Sequence, residues 1–385
     1  MTKEIVRKFT DSIVNLCSAG RASAFWKGRV ALYAILKGLG VGENDEVILP
    51  GYTCVMDVNP IKYLGAKPVY VDIEPRTFNI NVNQLEAKIT SKTKVIIAQH
   101  TYGYPCDMDS ILEIAKRKNI PVVEDCCLSL GSEYKGKTVG TFGKAAYFSF
   151  QWNKPFTTGL GGMATTNDTE LADKISEICK KQMCKPSTKE ILMLAAQLAI
   201  YRMFIYPRTT ALAQSLFRYL TKQGIVVGSS SSCEFEPVMA EDFFKGMSSV
   251  QARSGIRQLK KLQDNIQHRK QITELYDELL AKKGWYGRAF DKNVIDPVMV
   301  RYPVRIEEKQ QALEQAAGTG VELGNWFECP LHPIETPLEA YDYEIGMCPE
   351  AEKAAKEVVN LPVHPRVSEK TAKKTVEFIT RYTQA

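Results

Sequence analysis

The stretch Ser149-Phe150-Gln151-Trp152-Asn153-Lys154-Pro155-Phe156, followed by Thr157-Thr158-Gly159-Leu160-Gly161-Gly162, sets one lysine between an apolar strand and a glycine-rich return. A lysine in that place is a candidate Schiff-base nucleophile. Upstream, the apolar run Pro121–Asp125 ends in Glu124-Asp125, which can hold a carboxylate over the same site. Around these two lie further short apolar runs at Glu46–Leu49, Pro68–Ile73, Val95–His100, Ala145–Phe150 and Gly162–Thr166, most of them separated by helical patterns. Runs that are apolar throughout, rather than alternating, belong to strands buried on both faces. The fold class read from them is α/β, a mostly parallel sheet covered by helices. Ligands of such sheets sit beyond the carboxyl ends of the strands, where Asp125 and the loop after Phe150 both fall.

Composition narrows the class. Over 385 residues, apolar side chains make up 44% and charged ones 24%, ordinary values for a folded protein. The net charge of +6 is mild, and no arginine-rich arm or long run of like charge argues for nucleic acid. The ten cysteines are scattered without a CxxC pair or any metal-ligand spacing, so they read as reduced core thiols and no metal is expected. Met1-Thr2-Lys3-Glu4 does not open a signal peptide. A cytoplasmic protein is expected.

The pattern divides the chain into a large domain over 1–245 and a smaller α+β domain over 246–385. The second opens on a long helical pattern from Met247 toward Leu280, then Met299–Ile306, a helix near Glu307–Ala317, a turn at Asn360–Pro365 and a closing helix from Ser368. The first carries an apolar helical insertion at about 186–227. Its stretches Ile191–Tyr206 and Thr210–Leu220 are interrupted by Gln197, Arg202 and Pro207, short of the roughly twenty apolar residues a bilayer span needs. Two readings remain: a helical hairpin packed on the body or a partner subunit, or peripheral membrane contact through 191–220. Gly228–Ser232 reads as a loop.

A lysine imine needs an electron sink, and pyridoxal phosphate with a protonated pyridine is one. Asp125 in a low-dielectric site keeps that nitrogen protonated. Lys154, released when an amine substrate takes its place, can carry a proton between substrate and cofactor carbons. The phosphate seat falls at Trp26-Lys27-Gly28-Arg29-Val30-Ala31-Leu32, where a helix starts on a glycine with free amides and Arg29 adds a guanidinium; Ser149 offers a hydroxyl.

The order of further motifs carries a resemblance. Gly28–Leu32, Gly42-Glu43-Asn44-Asp45-Glu46-Val47-Ile48, Gly65–Ile73, His100–Met108, Glu124-Asp125, Tyr134–Lys137, Gly140–Gly143, the lysine loop, Met247–Ala252 and Leu361–Pro365 follow one another as in the DegT/DnrJ/EryC1/StrS aminotransferases of fold type I. The chain resembles that family along nearly its whole length. The resemblance implies Lys154 as the cofactor lysine, Asp125 as the pyridinium partner, and Ser149 with the amides of Gly28 and Arg29 as the phosphate cradle. It also implies the PLP and PMP forms of the cofactor, a homodimer with active sites at the subunit interface, and an amino group moved from glutamate to an oxo sugar on a nucleotide.

Several positions depart from the family's pattern. Arg29 stands for a small hydroxyl residue, Cys54 for the ring that stacks on the pyridine, Leu128 for a Gln or His near the cofactor's phenolic oxygen, Leu160 for an acid, and Phe244 for an asparagine. Tyr52 or another ring is expected to replace the stacking partner. On the substrate side Gln151, Trp326 and His332 are the candidates, while His100 and His364 read as turn residues. The alternatives to a sugar aminotransferase are a non-catalytic or regulatory protein on the same fold, and a membrane-associated aminotransferase with an atypical sugar or cyclitol substrate.

Overall fold

The computed structural model describes residues 2–152, 154–201, 234–285, 291, 293–333 and 336–382. Strands β1 (Arg21–Phe25), β2 (Glu46–Pro50), β3 (Lys67–Val71), β4 (Thr93–Gln99), β5 (Val122–Asp125), β6 (Ala145–Ser149) and β7 (Gly162–Thr166) form one sheet in the order β1-β7-β6-β5-β4-β2-β3. β7 is antiparallel to β1 and β6, and the other pairs are parallel. Both faces are covered: Val95 and Ile97 of β4 enter one hydrophobic cluster, Ile96 and Ala98 the other. That is why the strand reads as an unbroken apolar run.

The first helices are α1 (Thr2–Leu16), α2 (Gly28–Gly38), α3 (Val55–Tyr63), α4 (Met108–Lys118), α5 (Thr169–Gln182) and α6 (Thr188–Ile200). After them come α7 (Ser249–Leu259), α8 (Leu262–Ala281), β8 (Arg301–Arg305), α9 (Lys309–Thr319), α10 (Pro349–Glu357), β9 (Val358–Pro362) and α11 (Glu369–Ile379). α2 is buried at Val30–Leu36 because it lies on the sheet between β1 and β6. α1 crosses α7 at Gly255, where a Cβ would come 2.4 Å from the Phe9 ring. Only a glycine lets the two axes approach that closely.

Three expectations need correction. The apolar pattern from Met247 to Leu280 is two helices: Lys261 N–H bonds the Gln258 carbonyl at 3.0 Å, and Lys261 leaves helical geometry at φ −114°. Leu259 and Leu262, three positions apart on either side of the break, keep the apolar periodicity running through it. Asn360–Pro362 belongs to a strand paired with β8, so the turn begins only after it. β1 was not anticipated; as an edge strand with half-exposed Ala22, Ser23 and Ala24 it shows no apolar run.

No described helix is long and apolar enough to cross a membrane. α6, the described part of the apolar insertion, is closed at its start by a capping box between Ser187 and Glu190. It buries Leu194 and Leu198 in a cluster with Trp26, Trp152 and Leu160, so this part packs on the protein body. Residues 202–206 and 210–220, and the serine tract 228–232, lie outside the described residues.

Candidate active site

The lysine loop leaves β6 at Ser149 and returns at Gly162, its register partner across the β6–β7 pair. Phe150 N–H bonds the Gly161 carbonyl and Thr158 N–H bonds the Phe150 carbonyl, both at 2.9 Å, pinching the loop at its neck. Phe150 and Phe156 drop from it onto Phe9, with ring centroids 5.6 and 5.9 Å away. From the other side Asn265 Nδ2 of α8 donates to the Pro155 carbonyl at 2.7 Å. Gln251 Nε2 of α7 donates both to the Leu160 carbonyl at 2.9 Å and to the Trp26 carbonyl at 3.1 Å. Lys154 N–H closes a turn on the Gln151 carbonyl at 3.0 Å. With its backbone held, the Lys154 amine lies 5.0 Å from the centre of the Trp326 ring.

Asp125 ends β5, 3% exposed, and its Oδ1 accepts a 2.8 Å bond from the Cys127 amide. Across the parallel pair its register partner is Tyr147, whose phenol donates to Asp57 Oδ1 at 2.9 Å. Asp57 is a site residue that sequence reasoning missed. It lies in the first turn of α3, where an acid reads as a surface residue complementing the helix dipole. Here burial first, and then the charge of Asp125, push its carboxyl up to about 8; the Tyr147 bond, Lys154 and Arg29 pull the other way. Burial, then Asp125 and Asp57, also raise the Cys127 thiol, against the pull of Lys154. Asp57 and Cys127 thus each feel the charges of both Asp125 and Lys154.

Beside them α2 begins. Its N-cap, Lys27, makes no side-chain cap bond, so the first amides of the helix have no capping side chain. A Cβ on Gly28 would stand 2.9 Å from Ser149 Cβ, and one on Gly162 would stand 2.3 Å from the Lys27 carbonyl oxygen. Glycine at both points brings the helix start against the end of β6. The resulting concavity of bare amides and a serine hydroxyl fits a phosphate. Two cations are added: Arg29 Nη1 lies 2.5 Å from Glu234 Oε1, and Lys27 Nζ lies 3.3 Å from Glu234 Oε2. Glu234 is itself fixed, its carbonyl accepting from Asn59 Nδ2 at 2.8 Å and from the Tyr341 phenol at 3.0 Å. Burial first and then Arg29 lower the Lys27 ammonium to about 8, and Glu234 partly offsets this.

The remaining candidates divide. Leu331-His332 pairs with Thr53-Cys54, so His332 and Cys54 stand side by side. Burial first, and then Arg301 and Lys154, hold the His332 imidazole down at about 4, so it is neutral at physiological pH. The Cys54 thiol is pushed up to about 12, chiefly by burial. Tyr52 does not supply the missing ring. It is fully buried, with its phenol 2.9 Å from that of Tyr102 and accepting from the Phe327 amide at 3.3 Å. Trp326 is the ring that meets the lysine. Leu128 is buried, with its carbonyl oxygen packed on the turn at Gly103. Phe244 packs edge-on to Phe25, and Gln151 enters the site through its carbonyl.

His100 is structural. Its Nδ1 accepts from the Cys106 amide at 3.0 Å, leaving Nε2 to face Glu124 at 3.2 Å. Glu124 also accepts the amides of Gly140, Phe142 and Gly143, each at 2.7 Å. His100, Glu124 and Cys126 converge closely enough to suggest a metal site, but the ligand atoms of His100 and Glu124 are committed to these bonds.

A lysine able to hold a carbonyl cofactor and a buried acid for its ring nitrogen, at the carboxyl edge of a parallel sheet, are the parts that a pyridoxal-phosphate-dependent enzyme needs. The chain belongs to the DegT/DnrJ/EryC1/StrS aminotransferase family, which it matches over residues 2–199 and 214–380. Over 169 residues it is 47% identical to the GDP-perosamine synthase of Escherichia coli O157:H7, a match spanning 44% of this chain and 46% of that enzyme. The GDP-perosamine synthase of Caulobacter vibrioides is 32% identical over 94% of this chain and 85% of its own. Among solved structures, the putative sugar aminotransferase Spr1654 from Streptococcus pneumoniae in its PMP form superposes with a TM-score of 0.74 at 24% identity. That likeness covers 98% of this chain and 91% of the other.

Proposed function

We propose that this aminotransferase moves an amino group from glutamate to an oxo sugar carried on a nucleoside diphosphate. The observation that carries the reading is the Lys154 amine, which lies against the Trp326 ring on the loop after β6, while buried Asp125 ends the neighbouring strand β5. The relatives named as GDP-perosamine synthases support the sugar class. When bound, pyridoxal phosphate supplies an electron sink that lets the amino group leave one substrate and join the next.

The chain's own residues divide the remaining work. Lys154 would hold the cofactor at its carbonyl carbon and, as a free amine, would carry the proton between the reacting carbons. Asp125 keeps the ring nitrogen protonated. The amides of Gly28 and Arg29, with the Ser149 hydroxyl, seat the phosphate, and Lys27 and Arg29 add positive charge to that seat. Trp326 walls the pocket beside the amine and helps exclude water. Leu192 and Ile200, 65% and 50% exposed on the outer face of α6, offer apolar surface to a second copy, which supports a homodimer. The division into 1–245 and 246–385 belongs to the same reading.

Purified protein loaded with pyridoxal phosphate should show a visible band that glutamate bleaches and a nucleoside-diphosphate-linked oxo sugar restores. Borohydride should fix the cofactor to Lys154. No bleaching by glutamate, or label recovered on another lysine, sinks the proposal.

A further inference from the structure

Trp326 is fixed through the polar groups of its own backbone and of the next residue. Its N–H donates to Asn360 Oδ1 of β9 at 2.8 Å, and its carbonyl accepts from the Tyr102 phenol. The Phe327 N–H donates to the Tyr52 phenol at 3.3 Å, and the Phe327 carbonyl accepts from Lys309 Nζ of α9 at 3.5 Å. Lys309 is anchored in turn on the Ala355 carbonyl at 2.6 Å. Beside the indole stand the Phe327 ring, with centroids 4.7 Å apart, and the His332 ring, near-perpendicular at 6.2 Å. Over this braced ring lies the half-buried Lys154, its amine 5.0 Å from the ring centre. That is inside the ~6 Å over which the face of an indole attracts an ammonium. Arg301, its Cζ 5.7 Å from the same centre, is a second cation on the ring, but a guanidinium has no proton to pass on.

A lysine that carries a proton from one carbon to another is an ammonium between the two transfers. A C–H bond of the donor breaks as an N–H bond forms, and that N–H bond then breaks as a C–H bond forms at the receiving carbon, which returns the lysine to a neutral amine. In the interval the half-buried cation has lost part of its water and needs stabilising. A carboxylate in contact with it would be a base competing for the proton. An aromatic face stabilises the charge and takes no proton. We propose that the Trp326 indole holds the Lys154 ammonium between its two proton transfers, so that the ring stabilises the proton-carrying form of the lysine besides walling the pocket. The proposal rests on the proton-carrying role given to Lys154 above.

The test changes the electrons of the ring and keeps its shape. Monofluorinated and trifluorinated tryptophan, placed at position 326 alone, draw charge off the indole face step by step. In the apoprotein, acylation of Lys154 by acetic anhydride near neutral pH should quicken in that order, because only the neutral amine is acylated. The labelling is read by peptide mass spectrometry against the exposed Lys189. Trp326→Leu should quicken it roughly 2- to 30-fold, the worth of one cation–π contact, and Trp326→Phe should fall between. In the cofactor-loaded enzyme, the rate at which saturating glutamate bleaches the visible band should fall across the fluorinated series, with the glutamate KM within about twofold of wild type. Fluorination without effect in either measurement overturns the proposal. So does a rise in KM without a fall in the saturated rate, which would put the effect on substrate binding. If glutamate does not bleach the wild type but another amino acid does, the glutamate assignment fails and the same proteins are read with that donor, the acylation being independent of it.

Discussion

The phenol of Tyr147 donates a 2.9 Å hydrogen bond to Asp57 and sits in register beside Asp125, so two carboxyl groups share one buried face of the sheet. Folded Asp57 keeps its proton up to about pH 8, whereas in the unfolded chain it gives it up near the usual ~3.9. Between those values the folded state binds more protons, so the Asp57 contribution to stability falls as pH rises. Asp57→Asn removes the dependence. Apoprotein melting temperatures followed from about pH 5 to about pH 8 should drop more steeply for wild type than for the variant. Parallel curves refute the assignment.

Lys154→Ala should still bind pyridoxal phosphate, because the amides at the start of α2 and Ser149 are untouched. Its absorption should be that of the free aldehyde, and borohydride should fix no label. Transamination should fall by at least the ~10²- to 10⁴-fold that a positioned proton carrier contributes. Residual activity within tenfold of wild type would assign the proton transfer to another group.

Removing one partner of the buried Arg29–Glu234 pair leaves a charge poorly compensated. Arg29→Met should therefore lower apoprotein stability by about 3 kcal/mol, less to the extent that Lys27 takes over. The double variant Arg29→Met/Glu234→Gln should recover part of that loss, a coupling that urea denaturation of the four proteins measures directly. Both proteins lacking Arg29 should also bind pyridoxal phosphate more weakly than wild type.

Leu194 of α6 is fully buried and packs over Gly159 of the lysine loop, where a Cβ would lie 2.9 Å from Leu194 Cδ1. Leu194→Ala should cost about 2–5 kcal/mol in chemical denaturation. Lys189→Ala, at the exposed start of the same helix, should change stability by less than about 0.5 kcal/mol. If the two variants are equally mild, α6 does not support the loop.

The parallel sheet was legible in the sequence because burial on both faces leaves continuous apolar runs, and Lys154 stood out because glycines and an apolar strand frame it. Asp125 was legible as the end of one such run. Asp57 was not, since an acid in a first helical turn is ordinary and its burial depends on Tyr147 and Asp125, far away in sequence. Glu234 had no local signal at all; its role comes from meeting Arg29 and Lys27 across the fold. Tyr52 misled for the converse reason: its position pointed to the cofactor, but Tyr102 and Phe327 draw its phenol into the core.

Gln251 acts as a caliper. Its single amide nitrogen grips the Trp26 carbonyl just before α2 and the Leu160 carbonyl in the lysine loop, so the spacing between the start of α2 and that loop is set by one side chain of a third element. Neither jaw can drift without opening the other, and a substitution that respects every cofactor-facing residue can still put the enzyme out of gauge.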